Sequence, residues 1–413
     1  MDTSARRIVA VIGGGAAGLA AAISASRAGA KVLLLEKNEK LGKKIYITGK
    51  GRCNVTNACS REEFFENVVR NPKFLYGSFA ALDNAGVMEL LEASGCALKT
   101  ERGKRVFPVS DKASDVTRAL VKNLADTDVR LHCEVLKTER AQGGGFRLQT
   151  AREEFCSDAL VIATGGLSYP ATGSTGDGYR FAKAFGHRVT PLLPALTGIR
   201  LLGFPRTLAG LTLKNAGVSV RLANGKTFSE FGEMLFTHIG VSGPTVLTLS
   251  SRINRENLAG AELVVDCKPA LSDAELDRRL IRECAVAGGR LFRTVLGTLL
   301  PKSLIPVFIE RCGVEGDREA NAVRQEERKK IVGTLKSLSF PIRGLCGIES
   351  GVVTSGGADV SEINPKTLES KRVPDLYFAG EVLDVDALTG GFNLQIAFST
   401  GWLAGKSAAI PKE

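Results

Sequence analysis

The stretch IVAVIGGGAAGLAAAISASRAGAKVLLLE, Ile8 to Glu36, decides the fold. Ile8 to Ile12 are apolar and mostly β-branched, as in a buried strand. Gly13, Gly14 and Gly15 follow, then an alanine-rich helical run from Ala16 to Ala28, then a second apolar strand from Lys31 to Leu35. Strand, glycine turn, helix and strand in this order make a β-α-β unit. Gly13, Gly15 and Gly18 have the spacing G-x-G-x-x-G, and Glu36 ends the second strand. Gly13 permits the tight turn, Gly15 lets backbone approach a pyrophosphate, and Gly18 lets helix and strand pack closely. The helix start, with Ala16 and Ala17, offers unpaired N–H groups to the anion, and Glu36 can accept from ribose hydroxyls. The glycine triplet alone is weak; its frame makes it a dinucleotide site.

Two later strand signals end at the same kind of turn. Asp158 to Ala163 ends at Thr164, Gly165 and Gly166, and Leu376 to Ala379 ends at Gly380 and Glu381. Parallel strands of one sheet end at a ligand, so the C-terminal segment completes the sheet and a large insertion lies between. The returning Thr164 strand favours FAD over NAD. Asp384 and the run Gly390 to Ala397, with Gly391, Phe392, Asn393, Leu394, Gln395 and Ile396, suit a segment that closes on ribityl chain and isoalloxazine. A helix starting there sets positive potential against the flavin N1/O2 edge. No second G-x-G-x-x-G stands in a β-α-β frame, so NAD(P)H is expected as a transient electron donor.

The insertion begins near Pro191, with alternating segments such as Val218 to Leu222 and a turn at Ala223-Asn224-Gly225. The expected organisation is an FAD-binding first part over 1–190, a β-rich insert over 191–271 and about 337–345, a helical subdomain over 272–336, and a second FAD-binding part over 346–413. The fold class is α/β.

The 413 residues are 44% hydrophobic and 24% charged, as in a globular protein, without an apolar run long enough for a membrane span. The N-terminus enters the glycine cluster where a cleavage site would stand, so it reads as unprocessed. Nine scattered cysteines without C-x-x-C spacing suit free thiols in the cytoplasm, and three histidines without a Cys/His cluster argue against a structural metal. The formal net charge of +11 invites an anionic partner. From Gly178 to Ser229 there is no Asp or Glu, while Arg180, Lys183, Arg188, Arg200, Arg206, Lys214, Arg221 and Lys226 are all basic. A one-sign stretch of this length suggests a phosphate-facing surface on the insert.

The segments VIGGGAAGLAAA, GKKIYITGKGRCNVTN, GKRVFPVSDKA, ATGGLSYPATGSTGDGYRFAKAFGH, LFTHIGVSGP and LYFAGEVLDVDALTGGFNLQIAFSTG together resemble a bacterial flavoprotein family described as aminoacetone oxidase-like or YhiN-like. Members of that family have been identified as dihydrouridine synthases of large-subunit ribosomal RNA. The resemblance runs from about Ile8 to Gly405 and is weakest in the helical insert. It implies a two-dinucleotide-binding, Rossmann-like FAD domain with an inserted β-barrel-like domain and a small helical subdomain. Carried onto this sequence, it adds Lys37, Lys44, Gly51, Arg52 and Cys53 to the FAD contacts above; Val135 is a further candidate. Many relatives carry glycine where Lys50 stands, so Lys50 is a candidate phosphate or substrate contact.

On this reading a uridine in ribosomal RNA accepts hydride at C6, and an acid must protonate C5. Cys53, beside Arg52 in a glycine turn, is one candidate, with a depressed pKa expected; a small residue packed beside the flavin fits its position as well. His238 is the other, against a histidine that only orders its loop. Tyr169 would shape the substrate face. Arg102, Lys104 and Arg105, near Phe107, would grip a phosphate beside a stacked base. Arg200, Arg206, Lys214 and Arg221 would meet RNA from the insert. The alternatives are a small-molecule oxidase of an amine using O2, and a non-catalytic RNA-binding factor that FAD stabilises.

Overall fold

The structure is a computed structural model describing residues 6–411. The chain forms two compact units, residues 1–195 with 348–413, and residues 196–347.

The first unit is built on a five-stranded parallel sheet in the order Leu376–Phe378, Ala159–Ile162, Ile8–Ile12, Lys31–Leu35, Thr127–Arg130. Its inner strands are apolar on both faces because both are covered; Val9, Val11, Leu34 and Val161 have no exposed surface. Each such side chain contributes about 1.5–3 kcal/mol relative to exposure. An antiparallel three-stranded sheet, Val135–Arg140, Phe146–Thr150 and Glu154–Ser157, precedes the Ala159–Ile162 strand. Another joins Thr56–Asn57 to Arg105–Pro108 and Leu98–Glu101.

The N-terminal helix Ala16–Arg27 packs on the last helix, Phe392–Ala409. Gly401 and Gly405, one turn apart, set the distance. A Cβ on Gly401 would lie 2.1 Å from the Ala17 carbonyl oxygen, and one on Gly405 would lie 2.1 Å from that of Ala21. With alanines on the facing helix, the backbones come as near as side chains permit. The last helix is thereby held against the helix that follows the glycine turn.

The second unit is a closed six-stranded barrel, in the order Ile199–Leu201, Gly240–Ser242, Thr227–Phe236, Thr212–Arg221, Glu262–Asp266, Leu338–Leu345. Closure leaves no sheet edge unpaired. Between the last two strands in sequence lie helices Asp273–Ala287, Phe292–Leu296, Ile305–Cys312 and Gln325–Lys336. Their apolar faces share one core with the barrel, including Phe236, Leu263, Phe308 and Phe340. No helix among the described residues is long and apolar enough to cross a membrane.

Gly401→Ala should lower the melting temperature despite alanine's better helix propensity, because overpacking at this crossing costs about 1–3 kcal/mol. Gly289→Ala, where an added Cβ meets nothing within 4 Å, should leave it unchanged in the same thermal melt.

Candidate functional site

The glycine turn is closed on one side and open on the other. Gly13, at φ +102°, brings its α-carbon so near the neighbouring strand end that a Cβ would sit 2.6 Å from the Ala163 oxygen. A Cβ on Gly18 would lie 1.7 Å from the Gly13 oxygen. At Gly15 an added Cβ would meet nothing within 4 Å. Gly15 caps the helix without a side chain, and the first turn carries no acidic residue. The N–H groups at this helix start therefore have room for an anion beside them. Glu36, buried at the next strand's end, accepts from Gly14 N at 2.7 Å, Asn38 N at 2.8 Å and Asn38 Nδ2 at 2.6 Å. Three donors occupy three of roughly four lone-pair positions on a carboxylate.

The other strand ends meet the same turn. Gly380, at φ +77°, leaves 2.7 Å between an imagined Cβ and Ala17 Cβ. Among the described residues Thr164 Oγ1 is buried without a hydrogen-bond partner, as is Asn54 Oδ1 in the TGKGRCNVTN loop. That loop ends on the last helix: Thr56 Oγ1 donates to Gln395 Oε1 at 2.6 Å, and Asn57 Nδ2 donates to the Gly390 oxygen at 3.1 Å. Gly391 caps this helix at φ +100°, again with no capping side chain and no acid in the first turn. Asn393 folds back to Ala387, accepting its N–H at 2.9 Å. Two uncapped helix starts, one ribose-type carboxylate and two orphaned buried oxygens fit an FAD, and Gly13, Gly15, Glu36, Thr164 and Gly391 are the residues that would hold it; Gln395 is fully buried, its side chain bonded to Thr56, Leu82 and Ser399.

The cations are held more tightly than their sequence positions imply. Arg52 lies over the Phe107 ring, 4.1 Å from its centroid, and pairs with Glu101 and with Asp111 at 2.7 Å. Lys37 pairs with Asp177 at 2.7 Å, and Lys44 with Glu381 at 2.7 Å and Ser168 Oγ at 2.6 Å. Asp384 is buried and held by Arg70 through contacts of 2.8 and 2.6 Å. Lys104 pairs with Glu63, Lys99 with Asp111, and Phe107 is buried beneath Arg52, so base stacking on Phe107 is excluded. Arg102 and Arg105 stay exposed, with Arg105 Nε on the Arg102 oxygen at 3.0 Å. Val135 is buried at the start of its strand. Gly51 takes φ +88° and Lys50 takes φ +58°, an exposed lysine without an ion pair among the described residues. Tyr169, at φ +53°, is exposed past the Thr164 strand end, its ring 5.9 Å from Lys44 Nζ.

Residues 7–407 match the model described as HI0933-like protein Rossmann domain. The chain belongs to this family. It is 31% identical over 409 residues to the 3-dehydro-bile acid delta(4,6)-reductase of Clostridium scindens, covering 97% of this chain and 98% of that one. It is also 31% identical over 408 residues to the ribosomal RNA dihydrouridine synthase of Escherichia coli, with the same two coverages, 97% and 98%. Among solved structures, 3-ketosteroid-delta4-(5alpha)-dehydrogenase from Rhodococcus jostii aligns over 99% of both chains with TM-score 0.50 and 16% identity, a likeness of fold.

Within this HI0933-like chain, Cys53 departs from the depressed pKa expected of it. It has no exposed surface, and burial pushes its thiol up to about 12. The Arg52 charge that was to lower it is engaged by Glu101 and Asp111. His238 lies in the barrel unit, exposed in the turn before Gly240–Ser242. There it lines a cleft of about 380 Å³ with Arg200, Arg206, Arg343, Phe204 and Ile239. Arg343 was missed by sequence reasoning because it is far from Arg200 along the chain; strand pairing brings them together, with Arg200 opposite Gly344.

The acid-free run is also partly neutralised by folding. Arg188 meets Asp359, Arg180 meets Asp177, Lys226 meets Glu256 and Arg221 approaches Glu262 at 3.9 Å. Among the described residues, Lys183, Arg200, Arg206 and Lys214 have no such partner.

Gly15→Asp should separate cofactor from fold. Aspartate is a favourable helix cap and its Cβ enters open space, so the apoprotein should melt no lower than wild type. Its carboxylate takes the anion's place, and the purified protein should have lost flavin absorbance.

Proposed function

We propose that this protein reduces a uridine of ribosomal RNA to dihydrouridine, with NAD(P)H as the transient electron donor. Two relatives of near-equal similarity are named for a bile acid reductase and for a ribosomal RNA dihydrouridine synthase. Both names describe adding hydrogen to a carbon–carbon double bond conjugated to a carbonyl. When bound, the flavin supplies hydride to the far carbon of that bond.

The observation that supports RNA is the charge of the barrel unit. Residues 196–347 carry 22 Lys and Arg against 15 Asp and Glu, most of the chain's excess of +11. Arg200, Arg206 and Lys214 stand exposed there without a carboxylate partner among the described residues. A small amphipathic acid needs one cation and an apolar slot; a polyphosphate chain uses several spread cations.

In this reading the chain's residues bind, orient and shield. The uncapped helix starts hold the cofactor's anionic parts. Lys44, fixed by Glu381 and Ser168, lies beside the Tyr169 ring, and Tyr169 offers an exposed aromatic face to an unstacked uracil. Cys53 is a packing residue first: a fully buried thiol at about 12 is a poor proton source for C5 at neutral pH.

The direct experiment mixes the FAD-loaded protein, NAD(P)H and ribosomal RNA, with nucleoside mass spectrometry as readout. Dihydrouridine formation is expected. No product from RNA, together with turnover of a steroid enone or an amine, sinks the proposal. In the same assay Cys53→Ala should stay within about threefold of wild type. Tyr169→Ala should lose about tenfold or more in kcat/KM, the order of one stacked base.

A further inference from the structure

The barrel unit carries a cleft that uses no part of the dinucleotide cradle. We propose that it is a docking subsite for one unstacked nucleotide of an RNA strand, its phosphate on Arg200, Arg206 and Arg343 and its base on Phe204 and Ile239. This rests on the RNA reading above and adds where and how the strand is gripped.

Strand alternation explains the composition. Ile199 and Leu201 point into the barrel core, which turns Arg200 outward between them; Ile342 is buried in the same way and turns Arg343 outward. Arg200 faces Gly240 on one neighbouring strand and Gly344 on the other. Neither partner has a side chain to cover the guanidinium, and a Cβ on Gly344 would sit 3.6 Å from the Arg200 terminal nitrogen. Arg206 comes from the short helical turn Arg206–Leu208 and His238 from the turn before Gly240. No Asp or Glu lines the cleft. None of Arg200, Arg206 and Arg343 makes an ion pair among the described residues, whereas Arg221 and Lys226 of the same unit do.

Like charges that line one cleft without a carboxylate partner repel, and the arrangement gains by admitting an anion. The apolar part selects the kind of anion. Phe204 is half-buried on the Phe236 ring, centroids 5.7 Å apart and nearly parallel, so its position is fixed. Ile239 is 56% exposed beside these cations. Cations with an immobilised aromatic and an exposed aliphatic side chain match a phosphate and a splayed base, the mode by which single strands are bound. A cleft of about 380 Å³ is of the size of one nucleotide, not of a duplex. His238 is thereby a strand-contacting residue in place of a proton donor.

The test uses the FAD-loaded full chain carrying R200Q, R206Q and R343Q together, with K226Q/R252Q as the paired-charge control, since Lys226 meets Glu256 and Arg252 meets Glu230 at 2.7 Å. Binding of a fluorescent uridine-rich RNA is measured across a KCl series, beside inorganic polyphosphate as competitor. Equal flavin content and melting temperature establish that the variants are folded. The triple variant should lose about 0.7, the contribution of one phosphate of a single strand, from the slope of log K against log salt. Its KM for RNA should rise at least about tenfold with kcat within about threefold, and flavin reduction by NAD(P)H should not change. The control should keep the wild-type slope.

An unchanged slope and KM in the triple variant overturn the subsite. Polyphosphate competing as well as RNA of equal charge overturns the nucleotide assignment, as does an F204A variant with unaltered RNA affinity. These outcomes are separate from the reductase reading, which fails when wild type binds RNA with the expected slope yet forms no dihydrouridine.

Discussion

The first unit depends on the absence of side-chain atoms at four backbone crossings. Gly13 against Ala163, Gly18 against Gly13, Gly401 against Ala17 and Gly405 against Ala21 each leave less than 3 Å for a Cβ. The first two set the turn between the opening strand and its helix. The last two clamp that helix to the final one. One helix takes part in three of the four contacts, through Gly18, Ala17 and Ala21, so the two ends of a long chain are fixed to each other through it. One cofactor would thus meet the positive ends of two helices that start more than 350 residues apart.

This dependence accounts for the size of the insertion. The parallel sheet needs only that Leu376–Phe378 return beside Ala159–Ile162, a pairing of three residues. What lies between is free to fold by itself. The barrel does so with its own core and no open edge, and its strands Ile199–Leu201 and Leu338–Leu345 pair with each other near the points where the chain enters and leaves the unit. An insert whose ends already meet adds little closure entropy to the domain that carries it.

The cradle was legible in sequence because its constraints are local. Gly13, Gly15, Gly18 and Glu36 lie within one β-α-β unit, and each has a steric or electrostatic reason visible in the neighbouring residues. The strand returns at Thr164 and Gly380 were legible for the same reason, as apolar runs ending in glycine. Charge state was not legible, because ion pairs form across the fold. Arg52 stands next to Cys53 in sequence, yet its charge belongs to Glu101 and Asp111, and burial of the thiol reverses the expected pKa direction. Phe107 looked like a stacking platform among cations and is instead the surface on which Arg52 rests. In the acid-free stretch, carboxylates arrive from Asp359, Glu256 and Glu262, far along the chain. Arg343 entered the remaining cluster only through barrel register.

These two kinds of legibility bear on how substrates diverge within one family. A cradle fixed by glycines tolerates little change, and relatives named for a bile acid and for ribosomal RNA have near-equal identity to this chain over nearly the whole length. Exposed barrel positions such as Arg200, Arg206 and Arg343 carry no packing role, and a charge there can be exchanged at a cost of roughly ±0.5 kcal/mol in stability. A change of charge at these few positions would leave overall identity almost unaltered. The unpaired charges of the barrel then carry more information about what this protein binds than its similarity to either relative does.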